Sequence, residues 1–335
     1  MSTDTSTAPA PAPAAAPARP AAARLTGSAA RLSLVLLLAV FAVTFSLLRP
    51  GQFDTVQNAQ TILYSQSVIA IVALSALVSA TVGEIDISIG GVMTAAGVAT
   101  AWAFGHGWPA VAAVGLGLAT GLLVGVVNAL LIVRARINSF IATLAMTTLL
   151  SGLGLLLTDG LTLYKGVPQG FNDIVAITVA GVPLMVVYTA ALALALWYLL
   201  TRTPAGRRMK AAGSGRAAAE LIGVRTGRYV SAALVLGSLV AAVAGVLGTA
   251  RLQAAGPSGG EAVMLNAIAA VFLGAVVSAR GHLNVGGTVL AVLTLGVGIT
   301  GLTMLGAPAW VPDVFNGLAL IAALLIARAG KAATT

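Results

Sequence analysis

Apolar residues along this chain gather into blocks close to the roughly 20 residues that a helix needs to cross the ~30 Å hydrocarbon core of a bilayer. Ten blocks follow one another, over 30–48, 63–82, 87–104, 109–133, 139–157, 177–200, 229–250, 263–278, 285–305 and 313–328. The eighth is short enough to suit a broken or re-entrant element. The pattern predicts an all-α polytopic membrane protein with about ten transmembrane helices.

Basic residues between the blocks set the orientation. With the N-terminus inside and ten crossings, the cytoplasmic side holds Arg19, Arg24, Arg31, Arg134, Arg136, Arg202, Arg207, Arg208, Lys210, Arg216, Arg225, Arg228, Arg280, Arg328 and Lys331. The outer loops hold Arg49, Lys165 and Arg251, three of the eighteen Lys and Arg. Dropping one span would scramble the alternation after it. Both termini are therefore expected in the cytoplasm.

Composition agrees. The 335 residues are 59% hydrophobic and 8% charged, against about 25% charged in a soluble domain. That excludes an ordinary cytosolic enzyme. A net charge of +9 would suggest nucleic acid in a soluble protein, but here it marks topology. Cysteine is absent, which removes disulfides and thiolate chemistry. His106 and His282 are isolated, so a histidine metal cluster is not expected.

Residues 1–29 read as a disordered Pro/Ala-rich cytoplasmic tail, because its prolines oppose a helix and it lacks a core. A cleaved signal peptide is the rival reading, but the run Leu32–Leu48 ends at Arg49-Pro50 without a small-residue cleavage site. The transmembrane domain covers 30–328, and 329–335 form a short cytoplasmic tail. In the fourth block Gly117, Gly121 and Gly125 share one helix face, a pattern that lets helices approach closely.

Two segments carry chemistry. GEIDISIGG (83–91) puts Glu84 and Asp86 between two apolar spans, where ionisable groups are costly and face a partner or a wet cavity. Asp86 or Ser88 can cap the third span at its positive dipole end. Glu84 has a structural hydrogen bond and a pathway or gating role as open readings. The loop 201–228 has seven basic residues and one acid, Glu220. Ser214, in a Gly213-Ser214-Gly215 turn, can cap a short helix over 217–222 that Gly223 ends. Leu221 and Ile222 would form its apolar tip. A topology anchor is the bland alternative to a docking element.

Five stretches in order resemble the permease subunits of ribose-type carbohydrate ABC importers, within a wider group that includes branched-chain amino-acid permeases. GEIDISIGG (83–91) is similar to G-x-I-D-L/I-S-V/I-G. The stretch 128–158 keeps Asn128, Ile137, Phe140 and Thr143-Leu144 in register with N-G-L-L-I…I-x-x-F-I-x-T-L. RTPAGRRMKAAGSGRAAAELIGV (202–224) resembles the loop that contacts the ATPase. LNAIAAVFLGA (265–275) and GTVLAVLTLGVGITGLTMLG (287–306) resemble the last two. The resemblance runs from about residue 30 to 328.

It implies a pair of permease chains, typically identical, around a central path in a bacterial plasma (inner) membrane. Two cytoplasmic ATPase domains bind ATP and Mg, and an extracytoplasmic binding protein delivers the solute. The present chain, which carries no P-loop, would hold no cofactor and bind membrane lipid but no nucleic acid. Gly206, Arg207, Ala211, Gly213, Ala218, Ala219 and Gly223 match the coupling pattern. Where the family carries Y-E-L-D-A-I-A-A, this chain has Met264 and Asn266, and its N-N-G-L-N stretch reads Ile299-Thr300-Gly301-Leu302-Thr303. Fewer amides and carboxylates remain for sugar hydroxyls, so a deoxy sugar or a ligand other than a classical pentose is expected.

Ser88, Asn128, Asn266, Thr300 and Asn316, with Glu84 and Asp86, are the candidates for the path or its gate. Interhelical hydrogen bonds are the alternative for the amides and hydroxyls. Arg49, Lys165 and Arg251 are candidates for docking the binding protein, with lipid headgroups as their alternative. Rival functions are the same machine with another solute (a branched-chain amino acid, nucleoside or signalling sugar), an ion-coupled secondary transporter, and a membrane-embedded enzyme. A carrier with inverted repeats would show GEID-like segments in both halves, and only one occurs.

Overall fold

The structure, a computed structural model, describes residues 21–276 and 282–332. Each expected block carries a helix. These are α1 (Ala21–Leu48), α2 (Val56–Thr81), α3 (Ser88–Gly105), α4 (Ala110–Ala129, continued by a π turn Leu130–Arg134) and α5 (Ser139–Thr158). After a short α6 (Gly170–Ala176) comes a two-residue hairpin, β1 (Thr178–Val179) and β2 (Val182–Pro183), then α7 (Leu184–Arg202). Two short helices, α8 (Pro204–Ser214) and α9 (Arg216–Leu221), lead to α10 (Thr226–Leu252), α11 (Gly260–Val276), α12 (Val285–Met304) and α13 (Val311–Ala332).

Among the described residues, seven helices are long and apolar enough to cross a membrane: α2, α3, α4 with its π turn, α5, α7, α10 and α12. Shorter apolar segments lie in α1, α11 and α13.

Three boundaries differ from the sequence reading. Helix α1 already covers Ala21-Ala22-Ala23, upstream of the expected block at 30–48, in keeping with the strong helix propensity of alanine. Of the expected tail over 1–29, residues 1–20 lie outside the described residues. The sixth block begins as a helix only at Leu184, since Ala180 and Gly181 both take left-handed backbone and turn the chain into the hairpin. Gln60 of α2 donates to the Gly181 carbonyl at 2.6 Å and fixes that hairpin. The eighth block is one continuous helix through Val276, beyond which 277–281 lie outside the described residues.

Helix α10 is the hub, packed against α2, α3 and α4. A second group, α11, α12 and α13, joins through α2 and α3. Helix α3 is buried over 72% of its apolar window and α7 over only 22%, which sets the centre and the periphery. In lipid the packing term between helices is close van der Waals contact, and small residues supply it. A Cβ on Gly121 would strike Ala242 Cβ and the Ser238 carbonyl, and one on Gly125 would meet Val235 Cα at 2.8 Å. The expected glycine face of α4 is thus its seat on α10. Gly97 and Gly245 bring α3 and α10 together likewise.

Candidate functional site

The site begins where α2 stops. Gly83 adopts φ +82°, a conformation that L side chains rarely take. It turns the chain out of α2, and Glu84 N–H bonds back to the Ser79 carbonyl at 3.2 Å. Asp86 then opens α3: its Oδ1 accepts the Ser88 N–H at 2.9 Å and the Ser88 hydroxyl at 2.6 Å. Asp86 thus accepts a backbone N–H at the start of the third span, as expected, but from one residue before the N-cap, Ile87, which has no side-chain cap of its own.

The chain of bonds continues across helices. Asn128 Nδ2 of α4 donates to Ser88 Oγ at 2.8 Å. From α5, Thr143 accepts the Ile87 N–H at 3.1 Å, and Thr147 donates to the Ile87 carbonyl at 3.3 Å. Thr143 was read only as a register residue, and Thr147 not at all. Their i, i+4 spacing on an apolar helix puts both hydroxyls on one face, a signal available in the sequence.

Asp86, Ser88 and Asn128 are all buried, and Asp86 Oδ2 and Asn128 Oδ1 find no partner among the described residues. Burial pushes the Asp86 carboxyl above its ordinary value, while the Ser88 bonds pull against that shift. Glu84 and Asp86 line one small cavity, walled by Ala76 and Ala80 of α2 and Val271 and Phe272 of α11. They do not pair with each other. Glu84, buried, forms an ion pair with Arg216, the first residue of α9, which is half exposed.

That pair joins the turn to the segment between α7 and α10. Thr203 caps α8 by accepting the Gly206 N–H at 3.2 Å, with Pro204 in the first helical position. Gly206 lets α8 fold back on Leu199 and Leu200 of α7. Met209 and Ala212 are buried, while Arg207, Arg208 and Lys210 are exposed. Arg208 lies on the Tyr229 ring and donates to its hydroxyl at 2.8 Å.

Ser214 does not cap α9. It is the last residue of α8, and its hydroxyl bonds to the Lys210 carbonyl, so Gly215 leads directly into α9. The cause is an upstream helix that already uses this segment. Helix α9 buries Ala219, exposes Ala217 and Ala218, and ends with Leu221 89% and Ile222 77% exposed. Gly223, at φ +82°, closes it. Glu220 accepts from the Thr226 hydroxyl at the start of α10. Of the other coupling candidates, Ala211 is half-buried and Gly213 meets α2 backbone to backbone.

The remaining candidates are scattered. Asn266 on α11 and Thr300 on α12 are half-buried, and Asn316 on α13 is buried with Oδ1 unpartnered among the described residues. Lys165 is exposed and Arg49 half-buried. Arg251 turns inward: it lies 5.3 Å over the Tyr64 ring and donates to the Ser65 carbonyl at 3.4 Å. Among the described residues, no group of three or more His, Cys, Asp or Glu could hold a metal ion.

The model of the branched-chain amino acid transport system permease component matches residues 58–324. The chain belongs to this permease family. It is thus a permease component of an ABC transport system, a multi-pass protein of a bacterial inner membrane and a transport part rather than an enzyme.

Among curated proteins it is similar to the ribose import permease protein RbsC of Escherichia coli K12, 32% identical over 88% of this chain and 92% of that one. The D-allose transport system permease protein AlsC of the same strain is 29% identical over 87% of this chain and 90% of its own. The autoinducer 2 import system permease protein LsrD of Escherichia coli SMS-3-5 is 32% identical over 87% and 89%. No solved structure matches the chain.

Proposed function

We propose that this chain is the membrane-spanning subunit of an ATP-driven importer for a monosaccharide-like solute, with ten crossings and both termini in the cytoplasm. Two copies enclose the path, a cytoplasmic ATPase subunit binds ATP and Mg, and an extracytoplasmic binding protein delivers the solute. The observation that carries the reading is the shape of α8–α9: a slim alanine rod with a bare Leu221–Ile222 tip, flanked by exposed basic residues. Such a tip has little reason to be apolar unless a partner groove covers it. ATP-driven closure of the ATPase pair would move α9 and swing the path from outward to inward facing, which requires its binding energy to differ between the two states.

A carbohydrate-like solute is supported by the ribose, D-allose and autoinducer 2 permeases among the relatives. Met264 and Thr303, with half-buried Asn266 and Thr300, leave few carboxylates and amides for hydroxyls, which favours a less hydroxylated ligand than a pentose. The family's description supports a second reading, the same machine carrying a branched-chain amino acid. Thermal-shift screening of the cognate binding protein decides between them. Stabilisation by monosaccharides supports the first reading, and stabilisation by leucine or valine alone overturns it.

A further inference from the structure

The buried carboxylate of Glu84 sits among the alanines of α2 and the apolar face of α11, and its charge partner comes from the cytoplasmic loop. Among the described residues Arg216 makes the one ion pair. Beside it the two segments touch backbone to backbone. A Cβ on Gly213 would run into the Thr81 carbonyl, and one on Gly83 would lie 3.4 Å from Gly213 Cα. The α8–α9 elbow is therefore seated on the α2–α3 turn with no side chain between them.

From these contacts we infer that Glu84 and Arg216 form a tether that stays closed while α9 moves, and so delivers the movement of α9 to the start of α3. The inference rests on the importer reading above. Separating the pair would leave a buried carboxylate without a partner, a costly state, so displacing α9 drags the turn with it. Two residues on, Asp86 passes the load to Ser88 and through it to Asn128 on α4. Helix α9 thus acts on three membrane helices through one contact. Glu84 and Arg216 are positioning residues, which need not touch the solute.

The test uses the whole transporter in proteoliposomes (permease, ATPase subunit and cognate binding protein), with ATP hydrolysis read with and without the binding protein. Arg216→Ala is expected to keep the ATPase subunit bound and to lower the stimulation by binding protein about tenfold, within the usual range for coupling between sites. Arg216→Lys retains most of it. The chain lacks cysteine, so a Glu84→Cys, Arg216→Cys pair gives a clean second arm. Unbridged, this variant is expected to be uncoupled; joined by a short bifunctional thiol reagent, it regains stimulation.

Full stimulation in the unbridged variant, or none after bridging, overturns the tether. Hydrolysis that the binding protein fails to stimulate even with the unaltered chain overturns the importer reading and the tether with it.

Discussion

The amide of Asn128 on α4 reaches the hydroxyl of Ser88 on α3 at 2.8 Å and leaves its own carbonyl oxygen without a partner among the described residues. Ser88→Ala strands the amide N–H end of Asn128 as well, and buried unpaired groups of this kind cost about 1–3 kcal/mol. Asn128→Leu removes the polar ends together. The single Ser88→Ala variant is therefore expected to unfold at the lower temperature of the two, and adding Asn128→Leu to it is expected to recover part of the loss. Thermal unfolding of the detergent-purified variants checks this order.

Asp86 separates capping from charge. Asp86→Ala loses the acceptor at the start of α3, at a cost of about 1 kcal/mol, whereas Asp86→Asn keeps an oxygen for the Ser88 N–H. Because burial raises the folded-state pKa of this carboxyl, its contribution to stability is present below the ordinary value of 3.8 and lost as pH rises through the folded value. The midpoint of the unaltered chain should therefore fall more steeply than that of Asp86→Asn as pH is raised above 3.8. Parallel pH profiles for the two would contradict the assignment.

Gly121 and Gly115 stand on the same helix with opposite surroundings. A methyl group on Gly121 meets Ala242 and the Ser238 carbonyl, while one on Gly115 meets nothing within 4 Å. Gly121→Ala should destabilise by about 1–3 kcal/mol through overpacking. Gly115→Ala should be neutral, or stabilising by up to about 1 kcal/mol through helix propensity. Chemical unfolding in mixed micelles measures both.

Leu221 and Ala218 are exposed on α9, so changing them leaves the packing of the chain intact. Leu221→Asp and Ala218→Glu are expected to fold normally and to lose the ATPase subunit on co-purification, with at least ~10-fold weaker binding if the tip is an anchor. Retained binding with ATP-coupled transport would remove the docking role.

Lys165 and Arg251 are expected to diverge. Lys165 is exposed, and Lys165→Glu should lower transport without lowering membrane abundance if it docks the binding protein. Arg251→Glu also breaks the contacts with Tyr64 and Ser65, so it should lower thermal stability as well. Unchanged uptake in both variants would discard the docking role.

Much of this arrangement was legible in the chain itself. Twenty-residue apolar blocks located the long helices, because a bilayer admits few alternatives. The four-residue spacing of Gly117, Gly121 and Gly125 pointed to the packing face, and Asp86 before Ser88 to a helix start. Other features were written locally and read differently. Thr203-Pro204 is an N-cap followed by a first-turn proline, and it defines α8. Ala180-Gly181 defines the hairpin that delays α7.

The Glu84–Arg216 pair was not legible. Its partners lie far apart in sequence, and seven basic residues in one loop offer no local reason to choose Arg216. Only the backbone contact of Gly83 with Gly213 makes the choice.

The central claim is that this chain is a passive gate worked by a motor held beneath α9. It is tested most directly by the accumulation of labelled monosaccharides in sealed proteoliposomes, with the binding protein present and the ATPase subunit either included or omitted. The account predicts uphill uptake only with the ATPase subunit and ATP together. Uphill uptake by the purified chain without that subunit would contradict it.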